Sequence, residues 1–129
     1  MRSSLLLPAL LLLGACSTVG PGDAGYLISY DVSLASGSVD GLTVRVTRAD
    51  GTEETLAAPL LPLELSTPGA PGGRPYRIQV EATARATGTT LRARVRAFDG
   101  TGRLAEETRS EGTAAAGAPL RVVAAVTPR

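Results

Sequence analysis

From Tyr26 onward the chain alternates apolar and polar residues with a period of two. Tyr26, Ile28, Tyr30, Val32 and Leu34 interleave with Leu27, Ser29, Asp31 and Ser33. Successive side chains of a strand point to opposite faces, so this pattern predicts a strand with one buried face. Ala35 to Gly41 reads as a turn region ending in Asp40-Gly41, and Leu42, Val44 and Val46 alternate into a second strand. Asp50-Gly51 then favours a tight hairpin turn. A weaker strand is expected over Glu53 to Ala57. A fourth is expected over Leu60 to Ser66, confined to an edge by Pro59 and Pro62, because proline cannot donate to a ladder. Thr67 to Pro75 is the longest loop candidate.

The segment from Tyr76 to Phe98 carries the clearest pattern. Tyr76, Ile78, Val80, Ala82, Ala84 and Ala86 form one face, and Leu91, Ala93, Val95 and Ala97 form a matching one. Folding the two about Gly88-Thr89 sets Ala86 against Leu91, Ala84 against Ala93, Ala82 against Val95 and Val80 against Ala97. An odd-length loop would turn one apolar face to water, so a hairpin with an even-length loop is expected. A turn at Asp99-Gly100-Thr101-Gly102 leads to a short strand near Leu104 to Arg109. Ser110 to Ala118 reads as a small-residue loop, and Leu120 to Val126 as the last strand. No stretch has a helical period. Short strands and repeated turn signals predict an all-β chain folded as an antiparallel β-sandwich of seven to eight strands. Arg45-Val46 and Asp50-Gly51-Thr52 recur as Arg94-Val95 and Asp99-Gly100-Thr101 at an offset of 49. An internal duplication would produce this. So would the shared chemistry of strands that end in Asp-Gly turns, which is the simpler account.

The first 25 residues follow different rules. Met1-Arg2-Ser3-Ser4 carries one positive charge, Leu5 to Leu13 is apolar and broken only by Pro8, and Gly14-Ala15-Cys16 follows. That order is the order of a secretory signal. The apolar run is too short for a transmembrane helix, which needs ~20 residues. Leu13-Gly14-Ala15-Cys16 resembles the lipobox of bacterial lipoproteins, an aliphatic residue and two small ones before cysteine. The resemblance implies cleavage before Cys16, diacylglycerol on its sulfur and an acyl chain such as palmitate on the new amine. An ordinary signal followed by a free thiol is the alternative, although a lone cysteine suits an exported chain poorly. Two or three acyl chains make a durable anchor where one does not. In that family an aspartate after the cysteine favours inner-membrane retention; Ser17 stands here, which implies the outer membrane. Residues 1–15 are then the signal and 16–25 the lipidated cysteine with a Gly/Pro-rich tether. The nine residues from Ser17 to Gly25 reach ~30 Å when stretched, and residues 26–129 form the domain.

Composition narrows the chemistry. Without residues 1–15 the chain has 12 basic and 12 acidic residues, and every basic one is arginine. That balance predicts no nucleic-acid partner. The chain contains no histidine, no tryptophan and one cysteine. Ser-His-Asp and Cys-His catalysis and His/Cys zinc sites are therefore excluded. Carboxylate pairs remain open for acid–base work or calcium.

Tyr76-Arg77-Ile78-Gln79-Val80-Glu81-Ala82 and Val95-Arg96-Ala97-Phe98-Asp99-Gly100-Thr101-Gly102 resemble late strands of fibronectin type III and related immunoglobulin-like domains. The resemblance implies an immunoglobulin-like sandwich used for binding or spacing. The chain departs from it in lacking an early-strand tryptophan and a core disulfide, which leaves the strand order open.

Arg77, Arg85, Arg92, Arg94 and Arg96 fall on the outward face of the expected hairpin, with Arg85 opposite Arg92 and Arg96 opposite Glu81. Arg85, Arg92, Arg94 and Arg96 are the candidate anion site, suited to phosphate or acidic polysaccharide. A solvated face partly neutralised by Glu106 or Glu107 is the simpler reading. Asp40, Asp50 and Asp99 each precede glycine, which turn chemistry explains without calcium. Tyr26, Tyr30 and Tyr76 belong to apolar faces and are expected in the core rather than stacked on sugars. The expectation is a lipid-anchored, non-enzymatic envelope module without cofactor or metal, touching the membrane through its anchor and an envelope protein or polysaccharide as partner. Two alternatives stand beside it. One is an accessory subunit of an envelope complex, recognised by an uncovered apolar patch near Leu60 to Leu65. The other is a carboxylate-based glycan-acting enzyme, which needs two facing acids in a cleft.

Overall fold

The computed structural model describes residues 25–48 and 50–129. Eight strands account for most of them: β1 (Tyr26–Ser36), β2 (Val39–Thr47), β3 (Glu53–Ala57), β4 (Leu63–Gly69), β5 (Tyr76–Ala84), β6 (Thr89–Phe98), β7 (Leu104–Ala114) and β8 (Pro119–Val126). They form two four-stranded antiparallel sheets, one in the order β4-β1-β6-β7 and the other β3-β2-β5-β8. The all-β sandwich expected from the alternation is therefore present, and its architecture is consistent with an immunoglobulin-like fold.

The alternation sorts the side chains as the period of two requires. Ile28, Tyr30 and Val32 of β1 and Leu91, Ala93, Val95 and Ala97 of β6 are buried. They face Val44 and Val46 of β2, Tyr76, Ile78 and Val80 of β5, and Val122, Ala124 and Val126 of β8. One continuous core lies between the sheets. The tyrosine hydroxyls find partners at its rim. Tyr30 donates to the Thr47 carbonyl at 2.5 Å, Tyr76 accepts from Ala70 N at 3.0 Å, and Tyr26 donates to the Arg129 carbonyl at 3.0 Å.

Only two consecutive strand pairs are hairpins. β2 and β3 pair across the Asp50-Gly51 turn, and β6 and β7 across Asp99 to Arg103. Every other connection crosses from one sheet to the other. This corrects the expected β5–β6 hairpin. Four residues, Arg85 to Gly88, do join these strands, an even number, but β5 pairs with β2 and β8 while β6 pairs with β1 and β7. A chain that turns over as it crosses presents both apolar faces to the core, as a hairpin does, so alternation cannot separate the two. Ala86, expected opposite Leu91, is exposed in the crossing, where its carbonyl accepts from Thr89 N.

Three smaller differences have local causes. Asp40-Gly41 is not a turn but part of β2, where the register against β5 shifts by a bulge and Gly41 takes a positive φ of 64°. The chain reverses earlier, at Gly37. Thr67 to Gly69, expected as loop, extends β4 because β1 offers it partners down to Tyr26; Pro68 is tolerated on this edge strand. Ser110 to Ala114, also expected as loop, extends β7 along β6 to Thr89. Gly112 suits that extension, since a Cβ there would lie 3.2 Å from Val122 of β8.

Candidate functional site

The outer face of the β4-β1-β6-β7 sheet collects most of the singled-out residues. Cross-strand register arranges them in rows. Ser33, Arg92 and Glu111 form one; Glu64, Asp31, Arg94 and Arg109 the next; Ser66, Ser29, Arg96 and Glu107 a third. Arg92, Arg94 and Arg96 are therefore brought together, as alternation along β6 requires. Arg85 is not with them. It lies beyond the end of β5 at the other sheet and pairs with Asp40 at 3.0 Å, so the expected Arg85–Arg92 contact does not exist. Arg77 is also on the other sheet, 3.5 Å from Glu53. Glu81, expected opposite Arg96, instead approaches Arg121 at 3.8 Å.

Carboxylates are interleaved with the β6 arginines. Arg92 pairs with Glu111. Arg94 reaches Asp31 at 3.0 Å and Glu107 at 3.7 Å, and Arg96 reaches the same Asp31 oxygen at 3.3 Å. Arg109 adds a 3.0 Å contact to Glu107. Asp31 is only 18% exposed, so its two guanidinium contacts are less screened than those of an open surface pair. A shallow depression of about 340 Å³ lies over Asp31, Ser33, Arg92, Arg94, Arg109 and Glu111. An anion entering it would have to displace a carboxylate already holding each arginine, which favours the solvated-face reading.

Glu107 thus neutralises the arginines as expected, whereas Glu106 turns away and accepts from Thr127 N at 3.2 Å. Asp31 is the partner that sequence reasoning missed. Its contact with Arg94 spans 63 residues and depends on β1 lying beside β6. The available signal was complementarity: the polar positions of β1 are Ser29, Asp31 and Ser33, and those facing them on β6 are all arginine.

One further row was not anticipated. Pro68, Leu27, Phe98 and Leu104 stand side by side across all four strands at the end of the same face. Leu27 is 49% and Leu104 46% exposed. The Arg96 guanidinium lies 5.3 Å from the centre of the Phe98 ring and marks where the apolar row meets the charged ones.

The Asp-Gly pairs separate. Asp50 and Asp99 each accept from the backbone N and hydroxyl of the threonine two residues on, at 2.6–2.9 Å. The threonine hydroxyl, above all, holds each carboxyl below its ordinary 3.8. Asp40 is at the opposite end of the sandwich, with Arg85. Among the described residues no cluster of His, Cys, Asp or Glu is placed to hold a metal. Cys16 lies outside the described residues, as do the signal and the tether up to residue 24. No protein-family model matches the chain, and no curated protein sequence matches it.

Proposed function

We propose that the chain is a lipoprotein of a bacterial envelope, held through Cys16 and acyl chains such as palmitate, whose immunoglobulin-like sandwich is a non-enzymatic binding or structural module. The observation that carries this reading is Leu13-Gly14-Ala15-Cys16, closing an apolar run too short to span a bilayer. The chain has no histidine and no second cysteine, and Asp31, Glu107 and Glu111 are each engaged by arginine on an open face. That arrangement supports binding or spacing over carboxylate catalysis, which needs two unpaired acids across a cleft. Ser17 after the cysteine favours the outer membrane. Cys16→Ser is expected to move the protein from the membrane to the soluble fraction, or to leave its leader uncut. Unchanged membrane partition, or a free thiol in the native protein by mass spectrometry, would refute the anchor.

A second reading, an accessory subunit of an envelope complex, is favoured by Leu60. It is 89% exposed in the β3–β4 connection, while Leu61, Leu63 and Leu65 pack against the core. Of the four leucines in the patch expected over Leu60 to Leu65, Leu60 alone stands exposed.

A further inference from the structure

We propose that the apolar row Pro68–Leu27–Phe98–Leu104 rests on the bilayer, so that the domain lies with this end of its outer face against the lipid. The inference builds on the proposed anchor at Cys16. Its own ground is where the chain enters the sandwich. Leu27 stands two residues after Gly25, the first described residue, and pairs directly with Phe98 and Pro68. Nine residues separate Cys16 from Tyr26, a reach of ~30 Å at most. Any lipid on Cys16 therefore keeps this end of the sandwich, and the row on it, within reach of the membrane surface.

The chemistry of the row suits that boundary. Four apolar side chains from four different strands form a contiguous band on a face that is otherwise charged or hydroxylated. Leu27 and Leu104, about half exposed, are two of the four exposed large apolar residues of the described chain, and both belong to this row. Arg96, over the Phe98 ring, borders the row on its charged side, where a basic side chain can meet lipid phosphates when the row is at the glycerol level. Such a contact is too small to hold a free protein on a membrane. Tethering makes it intramolecular, so a weak preference suffices to orient the domain. The far end of the sandwich, with Leu60, then points away from the lipid.

The chain has no tryptophan, so a single one reports its own surroundings. Leu104→Trp, Leu27→Trp and Val123→Trp would be made in the full chain, processed in a bacterial host and reconstituted into phosphatidylethanolamine–phosphatidylglycerol vesicles containing brominated-chain lipid. Val123 is the control, 37% exposed on the outer face of the other sheet. The expected result is about twofold quenching and a blue shift at positions 104 and 27, with neither at 123. Two independent reporters guard against one substitution disturbing the fold. Protein that floats with the vesicles yet shows no quenching at either position overturns the docking and leaves the anchor standing. A blue shift without quenching that grows with protein density assigns the row to a second copy and also overturns it. Protein that neither floats nor carries lipid mass removes both readings.

Discussion

Tyr30 shows how one buried polar atom shapes the behaviour of this core. Its ring fills the space between the sheets at 2% exposure, and its hydroxyl ends 2.5 Å from the Thr47 carbonyl at the last residue of β2. Burial, with the neighbouring Tyr76 adding to it, pushes the phenol well above its ordinary value of 10.0. The folded state therefore keeps this proton at a pH where the unfolded chain has released it. Above pH 10 the unfolded state binds fewer protons, so stability falls as pH rises from there towards the folded-state value. Urea midpoints are expected to hold steady up to about pH 9 and to drop by about pH 11. Tyr30→Phe is expected to cost about 1 kcal/mol at neutral pH through the lost hydrogen bond, and to flatten the alkaline decline. A decline of full size in that variant would detach it from Tyr30.

Among the elements, the crossings between sheets matter more than the hairpins, and they were the least legible from sequence. Each strand's inner face could be read from alternation because burial acts residue by residue. Pairing could not, because Ala82 and Ala84 find an equally apolar environment across a hairpin or across the sandwich. The Asp-Gly turns at 50 and 99 were readable since their chemistry is local, a carboxylate accepting from the threonine two residues later. The β5–β6 crossing depends instead on distant chain. Thr89 is wholly buried; its hydroxyl donates to the Ala86 carbonyl at 2.7 Å and accepts from Ser38 N at 3.4 Å. Gly37 completes this contact. At φ 78°, a Cβ on it would sit 2.7 Å from the Thr89 Cα, a collision that a side-chain rotation cannot relieve. Gly41, at φ 64°, has nothing within 4 Å. Gly41→Ala should therefore cost only the backbone term, about 1 kcal/mol, and Gly37→Ala about 3 kcal/mol or more. Chemical denaturation of the two variants separates them. Equal costs would mean that the two crossings are not locked together at Thr89.

Taken as a whole, the sandwich has an internal symmetry that a residue repeat does not mark. Moving each strand four places along maps β1–β4 onto β5–β8, β2–β3 onto β6–β7, and β1–β6 onto β5–β2, with the sheets exchanged. The hairpin loops correspond at an offset of 51, since Arg48 N to Thr52 O and Gly51 N to Arg48 O match Asp99 N to Arg103 O and Gly102 N to Asp99 O. The Asp-Gly-Thr recurrence has an offset of 49, so it places Asp50 third in its loop and Asp99 first. It is shared turn chemistry and does not superpose in the fold. The candidate site was legible only along β6, whose arginines share a face by alternation; Asp31 and the apolar row required knowing which strands are neighbours. The two ends of the molecule also differ. Loops at the end where β1 begins carry Arg48, Asp50, Arg74, Asp99 and Arg103, while the connections at the other end carry Arg85 alone, paired with Asp40. Leu60 stands on that nearly uncharged end. Because it touches so little of its own chain, Leu60→Asp is expected to change stability by no more than about 0.5 kcal/mol. Its neighbour Leu61 packs on the core, and Leu61→Asp should cost about 2 kcal/mol by placing a charge against apolar surface. Selection for folding alone gives no reason to keep leucine at 60. If that end receives a partner, co-purification from detergent-solubilised membranes should lose the partner in Leu60→Asp while the domain's thermal unfolding is unchanged. A partner retained in full would detach Leu60 from the accessory-subunit reading.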